Sequence, residues 1–398
     1  MVTLFLTLLC TPNSPAQLPP SVDLRNEFAN FEITPKHQGD RDSCSLFAIA
    51  ALAEFELKKA GLLKGGRLSE EFLIWASNES TGLREDQAMF YEAVHALQEL
   101  GICAESAMPY QAKTVTEDPT EIAREQAQQF RGWRVAWIKR WNLNGGLSLD
   151  QLSMVKQMLA KKHPVAIGCR WPKGAEVNAA NELPYPPPDG VFDGHSVLLV
   201  GFVDHGRYPG GGAFLFQNSY GSSWGNNGYG IMPYAYAQKF TNDAIALRKE
   251  ELSDIESIVI EMESLGLQPG STCSVNEQSM RSWGAGLWSE GKHLFCESRE
   301  GGVARFEFVV PQAGNYAVDL LATCAPDFGA IQVSVNGAVV ARSSDLYGGR
   351  VYPSGRVSLG EMALTGSPNQ IEFRVIGKNQ HSSGYFMGLD AIVLTQRN

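Results

Sequence analysis

The spacing of apolar residues changes period near residue 250, and this change restricts the fold more than any other feature. Before it, apolar residues recur at helical spacing, as in Ala48, Ala51, Leu52 and Phe55, and in Phe90, Ala93, Val94, Leu97 and Leu100. After Ile258, short alternating segments follow one another, as in 306–310, 316–320, 331–335, 370–375 and 388–394, with Gly314-Asn315 and Asn336-Gly337 as turns. A helix buries a stripe with a period of 3.6 residues and a strand buries a face with a period of 2, so the two regions need separate cores. The 398 residues have room for two domains. The charged, polar stretch 251–257 reads as the linker, which leaves 17–250 as the first domain and 258–398 as the second.

Residues 1–16 stand apart from both. An apolar run at 2–10 followed by Ser14-Pro15-Ala16 has the form of a signal peptide, so a secreted or periplasmic, extracellular location is expected. The run is too short to span a bilayer. In the first domain, helices come before strands. Ser69 precedes Glu70 and Glu71 as a cap, and Ser148 with Gln151 is spaced as a capping box. Apolar strands follow at 164–167, 196–200 and 213–217. That order predicts an α+β domain with segregated halves.

Three residues of this domain carry chemistry. Cys44 lies where the polar loop 38–43 opens a helix. Free N–H groups and the helix dipole favour an anion there and lower a thiol pKa. His195 stands at the entrance to a buried strand, and Asn218 ends another before a loop rich in Gly and aromatics. Singly, each has an ordinary reading as a buried small residue, a loop histidine or a turn asparagine. In this order they form a known nucleophile pattern, Cys, then a distant His, then Asn.

The first domain resembles the papain-like (C1 family) cysteine peptidases from about Pro20 to Ile231. The resemblance rests on Pro20-Ser21-Val22-Asp23-Leu24-Arg25, the Gln38-Gly39 and Ser43-Cys44 loop, and Leu68-Ser69-Glu70-Glu71. Gly101-Ile102 with Glu105 and Pro109-Tyr110, Gly194 to Phe202, and Asn218 to Gly230 continue it in the family's order. It implies a two-lobed α+β peptidase acting on a peptide or protein substrate through a Cys44 thiolate, a His195 ion pair and a thioester. Asn218 would orient His195, Gln38 would donate to the oxyanion, and Tyr220 and Trp224 would shield the His–Asn pair. The reaction requires no cofactor.

There are departures. Arg41 stands where the family usually has a disulfide-forming Cys, Asp42 replaces a Gly, and Ser45 a Trp. Asp42 is expected to oppose thiolate formation and Arg41 to offset it. Only 17–19 separate the leader from the mature-like start, so an enzyme not held as a large zymogen is expected.

The second domain reads as an all-β jelly-roll sandwich resembling galactose-binding-like domains and the carbohydrate-binding modules related to them. That resemblance implies docking or binding to a glycan or cell-surface ligand, with Trp283, Trp288, Tyr347 and Tyr352 as candidate stacking residues. In related modules a first-strand acid and a last-strand Asp hold a structural calcium, which would fall to Glu261, Glu263 and Asp390. Cys273 and Cys296 could form one disulfide in an exported protein. Cys103, Cys169 and Cys324 read as buried apolar positions.

The net charge of −10 and the lack of a basic block exclude a nucleic-acid footprint. Two other readings differ from the peptidase. One is a catalytically inactive papain-like binding protein, and the other is a cysteine amidase acting on cell-wall peptides.

Overall fold

The computed structural model describes residues 18–111, 117–143, 145–173, 177–249, 257–284 and 286–397. The expected signal peptide, and the linker apart from Ser257, lie outside them. The helix opened by Cys44 runs Cys44–Lys59 and is buried along most of its length. It packs on helices Glu70–Thr81 and Phe90–Glu99 and on strands Val191–Asp204 and Thr241–Lys249. Both expected caps form: Ser69 Oγ accepts from Phe72 N at 2.9 Å, and Ser148 with Gln151 makes the reciprocal box.

The strands make a seven-stranded antiparallel sheet in the order Trp133–Lys139, Thr241–Lys249, Val165–Pro172, Val191–Asp204, Gly212–Gln217, Tyr229–Pro233, with Ser21–Asp23 paired to Val191–Asp204. The reading of the sequence located three of these strands. The other four are Ser21–Asp23, Trp133–Lys139, Tyr229–Pro233 and Thr241–Lys249, and the last of them packs on the helix opened by Cys44.

Arg41 answers for the missing disulfide. Its guanidinium is buried, 2.5 Å from Glu71 and 2.7 Å from Asp86, and donates to Gln111 O at 2.6 Å. It is therefore turned away from the task of offsetting Asp42. A buried ion pair broken on one side leaves an uncompensated charge, which costs about 3–5 kcal/mol. Arg41→Ala should lose stability of that order in denaturant unfolding. A loss below about 1 kcal/mol would show that the charges find other partners.

The second region is a sandwich. One sheet of seven strands carries the path Tyr352–Pro353, Gly314–Cys324, Met387–Arg397, Lys292–Glu297, Ser274–Ser279. The other has four: Val303–Phe308, Asn369–Gly377, Ala330–Val335, Ala338–Asp345. Phe306, Phe373, Ile331, Ile371 and Leu389 fill the space between them.

Three expectations for the sandwich change. Tyr352, Trp288 and Tyr347 are buried, and only Trp283 of the four stacking candidates is exposed, at 42%. Tyr352 stacks on Tyr91 of the first domain, at 4.9 Å and 17°. Trp288 donates to Thr323 Oγ1 at 2.9 Å. Cys273 and Cys296 are free thiols, close enough for each to act on the other's pKa.

The calcium expectation is also not carried. Among the described residues no group of three acids, histidines or cysteines is arranged to hold a metal ion. Ser289 instead bridges the acids: its Oγ donates to Glu261 at 2.5 Å and its N–H to Asp390 at 3.1 Å. Glu263 faces Lys292 at 3.7 Å.

Asp390 is pushed up to about 8, by burial first and then by the charges of Glu261 and Glu263. The unfolded chain releases this proton near its ordinary 3.8. Between these values the folded state holds the extra proton, so stability is fully present at low pH and is lost as pH rises towards 8. Asp390→Asn should flatten that decline in thermal unfolding profiles. An unchanged slope would mean that Asp390 is ionised when folded.

Candidate active site

The site is assembled from the loop before the nucleophile helix and two strand ends. Cys44 is the first residue of its helix and is half-buried. The loop that delivers it is fixed by side chains of the quoted motifs. Tyr110 Oη donates to Gln38 O at 2.6 Å and lies 3.0 Å from Ser43 Oγ. Lys36 bridges Glu70 at 2.6 Å and Glu105 at 3.0 Å. Ser45, where the family has Trp, donates to Ala88 O at 2.6 Å.

Gln38 is buried and held on both sides. Its Nε2 donates to Arg41 O at 2.8 Å, and its Oε1 accepts from Ser219 Oγ at 2.6 Å. An amide nitrogen has two hydrogens, so one N–H remains for a ligand.

His195 pairs with Cys169 across strands Val165–Pro172 and Val191–Asp204. Its Nε2 lies 2.7 Å from Asn218 Oδ1, which also accepts from Ser219 N at 2.8 Å. An amide oxygen can only accept, so Nε2 carries the hydrogen and Nδ1 is left to take a proton. Tyr220 stacks on the imidazole at 4.9 Å, with Trp224 against Tyr220 at 6.0 Å. Trp171 adds an edge contact at 4.5 Å. Trp171 escaped the sequence reading because its alternation marks a strand and nothing marks its partner.

Burial acts on both members of the pair. It pushes the Cys44 thiol up, with Asp42 adding to it, against hydrogen bonds from Ser196 and the Ser45 N–H. This direction is opposite to the lowering expected from the helix terminus, and desolvation is its largest cause. Burial pulls His195 down to about 4, and the Asn218 hydrogen bond raises it. Each charge alone is therefore disfavoured. Moving a proton from thiol to imidazole makes both charges together and leaves the net charge unchanged.

These residues open into a cleft of about 810 Å³. Cys44, Gln38, His195, Ser196 and Tyr220 line it together with Asp243 and, from the sandwich, Arg350. Asp243 is buried, accepts from Gly168 N at 3.1 Å, and is pushed up to about 7 by burial. A Cβ at position 168 would stand 2.2 Å from the Asp243 carboxylate, so a larger residue there would displace that side chain.

A family-wide sequence profile described as papain family cysteine protease matches residues 18–246, and the chain belongs to that family. Mouse cathepsin K is 27% identical over 229 residues, which is 56% of this chain and 62% of that protein. Papaya proteinase 4 from Carica papaya is 26% identical over 222 residues, covering 53% and 55% of the two chains. This chain thus spans less than two thirds of either relative. The solved structure of xylellain, a cysteine protease from Xylella fastidiosa, aligns with 59% of this chain and 88% of its own at 24% identity and a TM-score of 0.50, a likeness of fold.

Asn218→Ala removes the acceptor that favours the charged imidazole. The His195 pKa should then fall further, as read by NMR titration of the ring protons. A rise would mean that Asn218 acts on His195 by some route other than this hydrogen bond.

Proposed function

We propose that the chain is a cysteine peptidase that hydrolyses peptide bonds by acyl transfer to Cys44. The observation that carries this is the joint placement of Cys44, Gln38 and the Asn218-bonded His195 on one cleft. Residues 17–250 form the peptidase domain and 258–398 the sandwich, joined at 251–257.

In the reaction, Cys44 Sγ attacks the scissile carbonyl carbon while His195 takes the thiol proton. The free N–H of Gln38 and the backbone N–H of Cys44 meet the developing oxyanion. His195 then gives its proton to the leaving amine, which departs as the thioester forms. Water, deprotonated by His195, releases the acid and restores the thiol. Each step is carried by groups of this chain. Burial disfavours each charge separately, and once the proton has moved from Cys44 to His195 each charge stabilises the other.

The sandwich is fastened to the peptidase half. Besides the Tyr91–Tyr352 stack, Arg140 donates to Ser354 O at 2.7 Å and Arg134 to Ser358 Oγ at 2.9 Å. Among the four aromatic candidates for docking to a glycan or cell surface, Trp283 is the exposed one. No described helix is long and apolar enough to cross a membrane, and the apolar run at 2–10 supports export.

Cys44→Ala should abolish hydrolysis and labelling by a thiol-directed active-site probe while circular dichroism stays unchanged. Full activity in this variant would end the peptidase reading. A screen of folded proteins, short peptides and cell-wall fragments separates a peptidase from an amidase that cleaves only the last.

A further inference from the structure

Among the described residues, Arg350 is the one Arg or Lys that lines the cleft of Cys44 and His195, and it comes from the sandwich. Its backbone is fixed on both sides. Gly349 is pressed on Trp141, where a Cβ would stand 2.8 Å from the indole, and Tyr352 is buried against Tyr91. The guanidinium carbon lies 5.4 Å from the centre of the Tyr91 ring and 5.3 Å from that of Trp141. Nη2 donates to Tyr91 Oη at 2.5 Å, and Nε is buried with no partner. A buried donor of an ionised group left without an acceptor needs an explanation, and a ligand that supplies the acceptor is one.

The two buried acids near Arg350 feel its charge but spend hydrogen bonds on the backbone. Glu92 accepts from Met89 N at 2.7 Å, and Asp243 accepts from Gly168 N. Burial raises the pKa of both, which weakens their hold on a nearby cation. Asp42 and Glu85 also border the cleft, but both are exposed, so water and salt screen them. A half-buried guanidinium between two aromatic faces is screened less.

We propose that Arg350 is a specificity-determining residue supplied by the sandwich, pairing with an acidic side chain of the peptide bound in the cleft. The substrate site is then built by both domains. This rests on the peptidase reading above.

The test uses the full chain and matched fluorogenic peptides that carry Glu, Gln or Lys at one position at a time on either side of the scissile bond. At one position kcat/KM should favour Glu over Gln by about tenfold, chiefly through KM, and the preference should shrink with salt. Arg350→Met, which keeps the packing of the stem, should bring that ratio close to one. Arg350→Glu should turn the preference towards Lys. Ratios taken within one variant do not depend on how much of it folds.

The proposal is overturned if no position prefers Glu. It is also overturned if the ratio survives Arg350→Met, or if Arg350→Met lowers Glu and Gln peptides alike, since Arg350 then only fastens the domains. Hydrolysis of the Gln peptides by the wild-type chain shows that the peptidase reading stands when the Arg350 proposal fails. No hydrolysis of any peptide, with no labelling of Cys44, ends both.

Discussion

The buried charge of Arg41 is the constraint on which the catalytic loop depends. A guanidinium taken out of water must be met by acceptors, and here they come from three places in the chain: Glu71 on a helix, Asp86 in a loop, and Gln111 O beyond Pro109-Tyr110. Meeting that requirement pulls distant segments onto the loop that supplies Gln38 and Cys44. Gln38 is itself aimed by a hydrogen bond to the carbonyl of Arg41. The proposed oxyanion donor is thus oriented by the backbone of the residue whose side chain ties the lobe together. A disulfide would fix the same loop by a covalent bond, whereas this device fixes it by charge.

The same physics governs the dyad. Trp171, Tyr220 and Trp224 keep water from His195 and so strengthen its bond to Asn218. They also make a lone imidazolium costly, and burial treats a lone Cys44 thiolate in the same way. A site of this kind gains from forming both charges in one event, close together, with the oxyanion donors already in place. Electrostatic stabilisation by the N–H donors then acts on the oxyanion charge that develops during reaction.

What was legible in the sequence was local or motif-borne. The caps at Ser69 and Ser148, the helix opened by Cys44 and the strand before Asn218 follow from periodicity and side-chain chemistry within a few residues. The candidate quartet of Cys44, His195, Asn218 and Gln38 came from the order of motifs, and the structure brings Cys44, Gln38 and the Asn218-bonded His195 to one cleft. Trp171, Asp243 and Arg350 were not legible, because each acquires its role from a partner far along the chain. Asp243 lies on a strand that was not read as one, and the glycine that makes room for it is 75 positions away. The aromatics of the sandwich failed for the opposite reason. Residue type suggested stacking on a ligand, but Tyr352 spends its face on Tyr91 and Trp288 its N–H on Thr323. The calcium reading finds no support among the described residues: Glu261 and Asp390 both accept from Ser289, and no group of three acids is arranged around one point.

The interface therefore changes what the sandwich is. A module tethered for docking would leave the peptidase cleft complete without it. Here Tyr91 and Trp141 of the peptidase half are capped by Tyr352, Gly349 and Arg350, and the last of these borders the catalytic cleft. Tyr91 is the pivot of the arrangement, because its ring stacks on Tyr352 while its hydroxyl accepts from Arg350. Any shift of the sandwich on the peptidase half must break that pair of contacts at once. Packed interfaces of this kind respond in discrete steps rather than by gradual sliding. The wall of the cleft is thus joined to the sandwich through Tyr91 and Trp141, with Arg134 and Arg140 fastening the two halves beside them.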